Sequence, residues 1–275
     1  PTQGLASLLI LGIFDRLGVR RGGSFEHIHG LVEATKRAFL LRDKHVTDPV
    51  FAGDVSIHLS ERVLAREAAA IDMRRAAPWP QVAEKGDTVW MGAVDSEGLA
   101  VSYIQSIFFE FGSGCVLPAT GVTWQNRGSS FHLDPAARNP LEPGRKPFHT
   151  LNPAFARYKD SRVMPYGTMG GEGQPQTQAA VFTRHALFGM DLAQALAAPR
   201  WLLGRTWGSD HLHLRLENRF DPDLILALQQ AGHELEVIEE AYSDTMGHAG
   251  AIVRRRDGRS FGASDPRSDG AAIAA

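Results

Sequence analysis

Cysteine is almost absent from this 275-residue chain: Cys115 stands alone, so no intrachain disulfide can form. Flanked by Gly112, Ser113, Gly114 and Val116, it reads as a buried apolar residue rather than a nucleophile. An excess of one charge is also lacking. Lysine and arginine number 29 against 31 aspartates and glutamates, a formal net charge of −2, and no basic stripe appears. No nucleic-acid partner is therefore expected. The longest basic run, Arg254-Arg255-Arg256, adjoins Asp257 and reads as a solvated hairpin end. No apolar run reaches the roughly 20 residues of a bilayer-spanning helix, so no membrane partner is expected. Pro1-Thr2-Gln3-Gly4 has neither the basic nor the apolar region of a signal peptide, which favours the cytoplasm. It also lacks a starting methionine, so the chain is readable as a fragment or a processed product. What is present is 43% hydrophobic residues, enough for one large domain or two small ones.

The first third reads as helical. Residues 3–17 are nearly all apolar and predict a buried helix ending at Gly18. Ser24 is a suitable N-cap for a second helix over 25–43, whose Ile28, Leu31, Val32, Ala38 and Phe39 share a broad face. Asp48-Pro49 ends that region, and a third helix is expected over 60–74, followed by a polar loop to Gly86. The texture then changes. Residues 88–95 and 99–107 predict two strands joined at Ser96-Glu97-Gly98, with further strands at 121–125, 153–158 and 162–166. A glycine-rich loop, 167–173, precedes a helix from about Pro175, and Asp191 opens a shorter one to Ala198. A strand at 211–217, a helix at 221–232 and strands near 234–238 and 249–254 complete the chain. Helices, strands, helices and strands in that order predict an α+β layered sandwich with helices on both outer faces.

Several groups are candidates for chemistry. Gly258-Arg259-Ser260-Phe261-Gly262 has the form of a serine elbow, but it lies in an apparent hairpin and lacks the required strand-to-helix setting. His27 with His29, and His211 with His213, offer imidazole pairs without an indicated third ligand, so no metal is expected. The glycine loop lacks the ending of a phosphate loop; its Gly170-Gly171 pair suits backbone N–H groups converging on an oxyanion. Thr88 opens the first strand just after Asp87. Cleavage of the Asp87–Thr88 bond would give Thr88 a hydroxyl nucleophile beside a free α-amine, whose reference pKa of about 7.7–8.0 suits a general base.

Taken together these segments resemble the gamma-glutamyltranspeptidase family of N-terminal-nucleophile hydrolases. The resemblance rests on Pro1 to Gly4, His29, Glu33-Ala34, Lys36, Arg42-Asp43, Asp48-Pro49, Asp87-Thr88, Phe111 to Gly114, Asn126, Asn152-Pro153, Gly170-Gly171, Ala198-Pro199-Arg200 and Gly262 to Arg267. It implies a four-layer αββα sandwich and autocatalytic cleavage at Asp87–Thr88. Residues 1–87 would be the C-terminal part of a large subunit and 88–275 the small subunit, together one domain. The chain looks like the C-terminal half of a full-length member. Thr88 would be the nucleophile, Ser106 its hydroxyl support, and Gly170 and Gly171 the oxyanion hole. No cofactor is implied. The two subunits would come from one precursor, with a homodimer open.

Departures from the family pattern bear on substrate. Phe108 stands where the family has an asparagine, and Arg127 and Ser130 where it has the groups that hold an α-ammonium. His149-Thr150 replace its paired serines. A cation in place of an acidic cradle favours a carboxylate, and Phe108 narrows the pocket. The expected function is an amidohydrolase for a small anionic amide, similar to the oxamate-amidohydrolase subfamily. Alternatives are gamma-glutamyl hydrolysis or transfer on glutathione-like substrates, a cephalosporin-acylase-like amidase, and an uncleaved, inactive binding scaffold.

Overall fold

The computed structural model describes residues 1–79, 87–204 and 212–274. The loop expected to end at Gly86, together with His211, lies outside the described residues. Helix α1 spans Gly4–Asp15 and buries Leu5, Leu9, Ile10, Ile13 and Phe14. Helix α2, Phe25–His45, starts at the expected cap: Ser24 Oγ accepts from the His27 N–H at 3.3 Å. Asp48 caps the short α3, Pro49–Ala52, through the Val50 N–H at 3.1 Å. Helix α4 is shorter than expected, Glu61–Ala69. It stops because the chain reverses at Asp72, whose carboxylate accepts from the Arg74 N–H at 2.8 Å.

Strands β1, Asp87–Val94, and β2, Ala100–Phe108, pair antiparallel through a turn in which Asp95 Oδ1 accepts from the Gly98 and Leu99 N–H groups, each at 2.8 Å. The expected strand at 121–125 is reduced to β4, Val122–Thr123, paired with β3, Val116–Leu117, which periodicity did not reveal. Cys115 lies at the edge of this small hairpin and is exposed, correcting the expectation of a buried residue: the excursion has no apolar layer over it. Then follow β5, Ala154–Arg157; β6, Val163–Thr168; α5, Gly173–Phe182; and α6, Leu192–Ala197, capped by Asp191. Strands β7, Trp201–Leu203, β8, Leu214–Glu217, and β9, Leu235–Ile238, form a sheet with α7, Pro222–Gln230, between the last two. Strands β10, Ala249–Arg254, and β11, Ser260–Ser264, close the chain. Ser260 therefore sits on a strand rather than at an elbow.

Helices and sheets segregate into layers, as expected for an α+β fold. The central sheet has the antiparallel order β11-β10-β6-β5. On one face Met164, Tyr166, Ala249, Ala251 and Val253 pack against Val181 of α5 and Leu192 and Leu196 of α6. Beyond α5 a larger core gathers α1, α2, β7, β8 and α7 around residues such as Phe14, Ile28, Phe39, Trp201, Leu216 and Leu228. On the other face lies the β1–β2 hairpin, held by Trp90. A Cβ on Gly167 would stand 2.2 Å from Trp90 Cδ1, and one on Gly250 2.4 Å from Trp90 Cζ3. Two glycines on neighbouring strands thus make the slot that lets the layers stack. Val89, Met91, Val101 and Tyr103, on the hairpin's outer face, are exposed.

The C-terminal segment is tied down by buried charge. Arg267 donates to Glu217 through Nε at 2.6 Å and to Asp265 through Nη1 at 3.0 Å, and Asp265 also pairs with Arg200. The Pro199-Arg200 and Asp265-Pro266-Arg267 motifs are therefore mutual partners inside the fold.

Candidate active site

Thr88 is the second residue of β1 and only 9% exposed. Its place follows from how β1 stacks on β10. Arg254 donates to the carbonyls of Asp95 and Ser96, Gly92 lies against Ile252, and Trp90 lies against Gly250. Continuing that progression brings Thr88 to the Ala249 and Thr168 end of the sheet, where the glycine turn leaves β6. The pairing jumps from Asp87↔Phe108 to Val89↔Gln105, so Ser106 and Ile107 together oppose the single residue Thr88. A bulge of this kind re-aims side chains at a strand end.

Just past the bulge Phe108 has φ +82°, a left-handed conformation unusual for a bulky residue. Three contacts hold it there. Its N–H donates to Ser106 Oγ at 2.9 Å, its ring stacks on Phe109 at 4.1 Å, and the Arg127 guanidinium lies 4.0 Å from its ring centroid. Asn126 aligns Arg127 by clamping this turn: its N–H donates to the Ile107 carbonyl at 3.1 Å and its Oδ1 accepts from the Phe109 N–H at 3.0 Å. Arg127, 5% exposed, donates to Ser106 Oγ at 3.3 Å and to Thr150 Oγ1 at 3.1 Å. Ser130 stands behind it, its hydroxyl 2.9 Å from the Arg127 carbonyl and 2.8 Å from that of Phe148. His149 lies alongside with Nδ1 buried and unpartnered. Burial, and then the charge of Arg127, push its imidazole down to about 4, so it is neutral near pH 7.

The glycine turn follows β6 directly. Gly170 has φ +113° and Gly171 φ +52°. Their carbonyls are taken: Gly170 O accepts from the Gly173 N–H at 2.8 Å, and Gly171 O from Gln3 Nε2 at 2.8 Å. Among the described residues no acceptor takes the Gly170 or Gly171 N–H. Gln3 also donates to the Thr150 carbonyl at 2.8 Å, and Arg42 donates to Gln3 Oε1 at 3.2 Å and to Glu172 Oε1 at 2.9 Å. Four of the expected site residues, Ser106, Arg127, Thr150 and Gly171, are thus joined through Gln3 in one hydrogen-bonded path, Ser106–Arg127–Thr150–Gln3–Gly171. Gln3, Arg42 and Glu172 were not singled out for chemistry from sequence. The available signal was polar residues inside segments that are otherwise apolar or glycine-rich.

His27 and His29 do not converge on one point. His27 bonds Thr183 Oγ1 at 2.9 Å, and His213 bonds Glu234. His29 instead meets Glu33 and His233, three buried groups whose ligand atoms lie within 4.8 Å of one another. Their existing bonds account for them. His29 Nδ1 and His233 Nε2 are 2.8 Å apart, while Glu33 accepts from Lys36 Nζ at 2.6 Å and from the Ala77 N–H at 3.1 Å. Lys36 supplies the positive charge there that a metal would otherwise bring.

The chain is similar to known proteins along nearly its whole length. The chain is 57% identical to the oxamate amidohydrolase proenzyme of Klebsiella pneumoniae over 273 residues, covering 99% of this chain and 52% of the relative. It is 43% identical to the glutathione hydrolase-like YwrD proenzyme of Bacillus subtilis, again covering 99% and 52%. The chain therefore spans about half the length of the curated relatives it matches. The structure of cephalosporin acylase from Bacillus halodurans superposes with a TM-score of 0.80 at 30% identity, covering 98% of this chain and 48% of that one. The gamma-glutamyltranspeptidase family model matches residues 1–275, and the chain belongs to that family.

Proposed function

We infer that this chain is the nucleophile-bearing part of an autoprocessing amidohydrolase for small anionic amides such as oxamate. Thr88 Oγ attacks the Asp87 carbonyl carbon. The acyl group shifts from nitrogen to oxygen, and water hydrolyses the ester. Residues 1–87 then end the large subunit and 88–275 form the small one. In turnover the Thr88 hydroxyl attacks the substrate amide while its own α-amine takes the proton. The tetrahedral oxyanion is received by the Gly170 and Gly171 N–H groups. Collapse returns the proton to the leaving nitrogen and expels ammonia. Water then resolves the acyl-threonine, giving a free acid and regenerated Thr88.

The observation that carries the substrate assignment is the buried Arg127 guanidinium, anchored on Ser106 Oγ and stacked on Phe108 beside the Thr88 strand. A buried cation beside the nucleophile's strand pairs with a carboxylate adjacent to the scissile carbonyl. Thr150, Phe108 and His149 stand around Arg127, and Ser130 holds the Arg127 and Phe148 carbonyls behind it. A gamma-glutamyl substrate, which the Bacillus subtilis relative's name would favour, carries an α-ammonium that Arg127 repels. The test is release of the leaving amine, ammonia from oxamate and the aniline from gamma-glutamyl anilides: the processed enzyme should hydrolyse oxamate and leave gamma-glutamyl anilides nearly untouched. The reverse preference would overturn the assignment.

A further inference from the structure

We propose that Gln3 is a positioning residue for this reaction, fixing the oxyanion turn and the Arg127 anchor at a set separation through its side-chain amide. The inference rests on the function proposed above. Gln3 is fully buried and caps α1, its carbonyl accepting from the Ala6 N–H at 2.8 Å, so its backbone is anchored by a helix. Its amide orientation is not ambiguous. Arg42 donates to Oε1 at 3.2 Å, so Nε2 must face the two carbonyls of Thr150 and Gly171, each at 2.8 Å. A flipped amide would set its NH2 against a guanidinium and its oxygen against two carbonyls.

The need for such a brace comes from the turn itself. Two consecutive glycines with φ +113° and +52° have no Cβ to restrict them and can reorient at little cost. Each peptide is planar, so pinning a carbonyl also fixes the N–H on the other side of that unit. The Gly173 N–H pins the Gly170 carbonyl and with it the Gly171 N–H, while Gln3 Nε2 and, at 3.3 Å, the Gln174 N–H hold the Gly171 carbonyl on the other side of that residue. The same nitrogen holds Thr150, whose hydroxyl accepts from Arg127 at 3.1 Å. One amide therefore ties the glycine that carries an oxyanion N–H to the segment that anchors Arg127.

The experiment compares Gln3→Met and Gln3→Glu in the full-length protein. Met keeps the length of the side chain without its donors. Glu keeps the contact with Arg42 and presents acceptors to the carbonyls. Intact mass measures maturation, and turnover is expressed per processed enzyme. Both variants should mature, and kcat for oxamate should fall on the order of 10- to 100-fold while KM moves less than about threefold, because a misplaced oxyanion turn acts in the transition state. Lengthening the substrate by one methylene between carboxylate and amide should be penalised less in the variants than in the parent. A kcat within about twofold of the parent, an effect confined to KM, or loss of maturation would make Gln3 a purely structural residue and overturn the proposal. A parent enzyme that turns over no small anionic amide is a failure of the underlying function, and it is visible before any Gln3 variant is compared.

Discussion

Arg127 lies over the ring of Phe108, with its guanidinium carbon 4.0 Å from the centroid, and Phe108 takes a left-handed backbone conformation to receive it. Neither residue holds its position alone. The cation needs the ring and two hydroxyls to remain buried, and the strained backbone at Phe108 needs the cation above it.

Replacing Arg127 should therefore act on substrate recognition and on this local geometry together. Arg127→Ala is expected to lower kcat/KM for oxamate about 100-fold, the range for a buried charge-assisted pair, with a smaller effect on an uncharged short amide. Arg127→Lys should recover little, since a point charge cannot reach both Ser106 and Thr150 while stacking on Phe108. Steady-state kinetics on the two amides check this; equal losses on both would argue against a carboxylate anchor.

Cleavage is predicted at Asp87–Thr88. Intact mass of the purified parent should show the chain divided there, and Thr88→Ala should leave it whole and without turnover. Thr88→Ser should still mature, because hydroxyl and α-amine are both retained. Maturation of Thr88→Ala would place the scissile bond elsewhere.

The glycine slot under Trp90 predicts a stability effect remote from the chemistry. Gly250→Ala should cost about 1–3 kcal/mol by overpacking, read as a lower denaturant midpoint at constant m. In a Trp90→Ala background the same substitution should cost much less. Equal costs in the two backgrounds would mean that the slot does not set the stacking.

Acid should destabilise the fold through its buried imidazoles. Burial pushes His27 and His233 each to about 3, below their ordinary 6.5, so both are neutral when folded. The unfolded chain then binds more protons as pH falls. Stability is full above about 6.5 and is lost progressively toward pH 3, by at most about 1.4 kcal/mol per pH unit for each group. Thermal denaturation between pH 7.5 and 5 should show the decline, and His27→Gln should flatten it.

Much of this was legible in the sequence because it is local. Apolar runs on either side of Ser96-Glu97-Gly98 give β1 and β2, Ser24 and Asp191 give helix starts, and the Gly170-Gly171 pair marks a turn that only glycine adopts easily. Residues 115 and 72 were misread for a common reason. Nothing in the local pattern shows that no layer covers Cys115, or that Asp72 turns the chain back after Ala69. The path through Gln3 was out of reach because its members are separated by more than 140 residues along the chain. Its polar atoms are satisfied only after folding brings α1, the Thr150 segment and the glycine turn together.

The pairing of Asp87 with Phe108 gives the uncut chain a second property. The residue on the departing side of the scissile bond occupies the strand edge beside the Arg127–Phe108 stack. In the proposed reaction the free amine exists only once that bond is cut, so an immature molecule lacks its general base and cannot hydrolyse amides ahead of its own maturation.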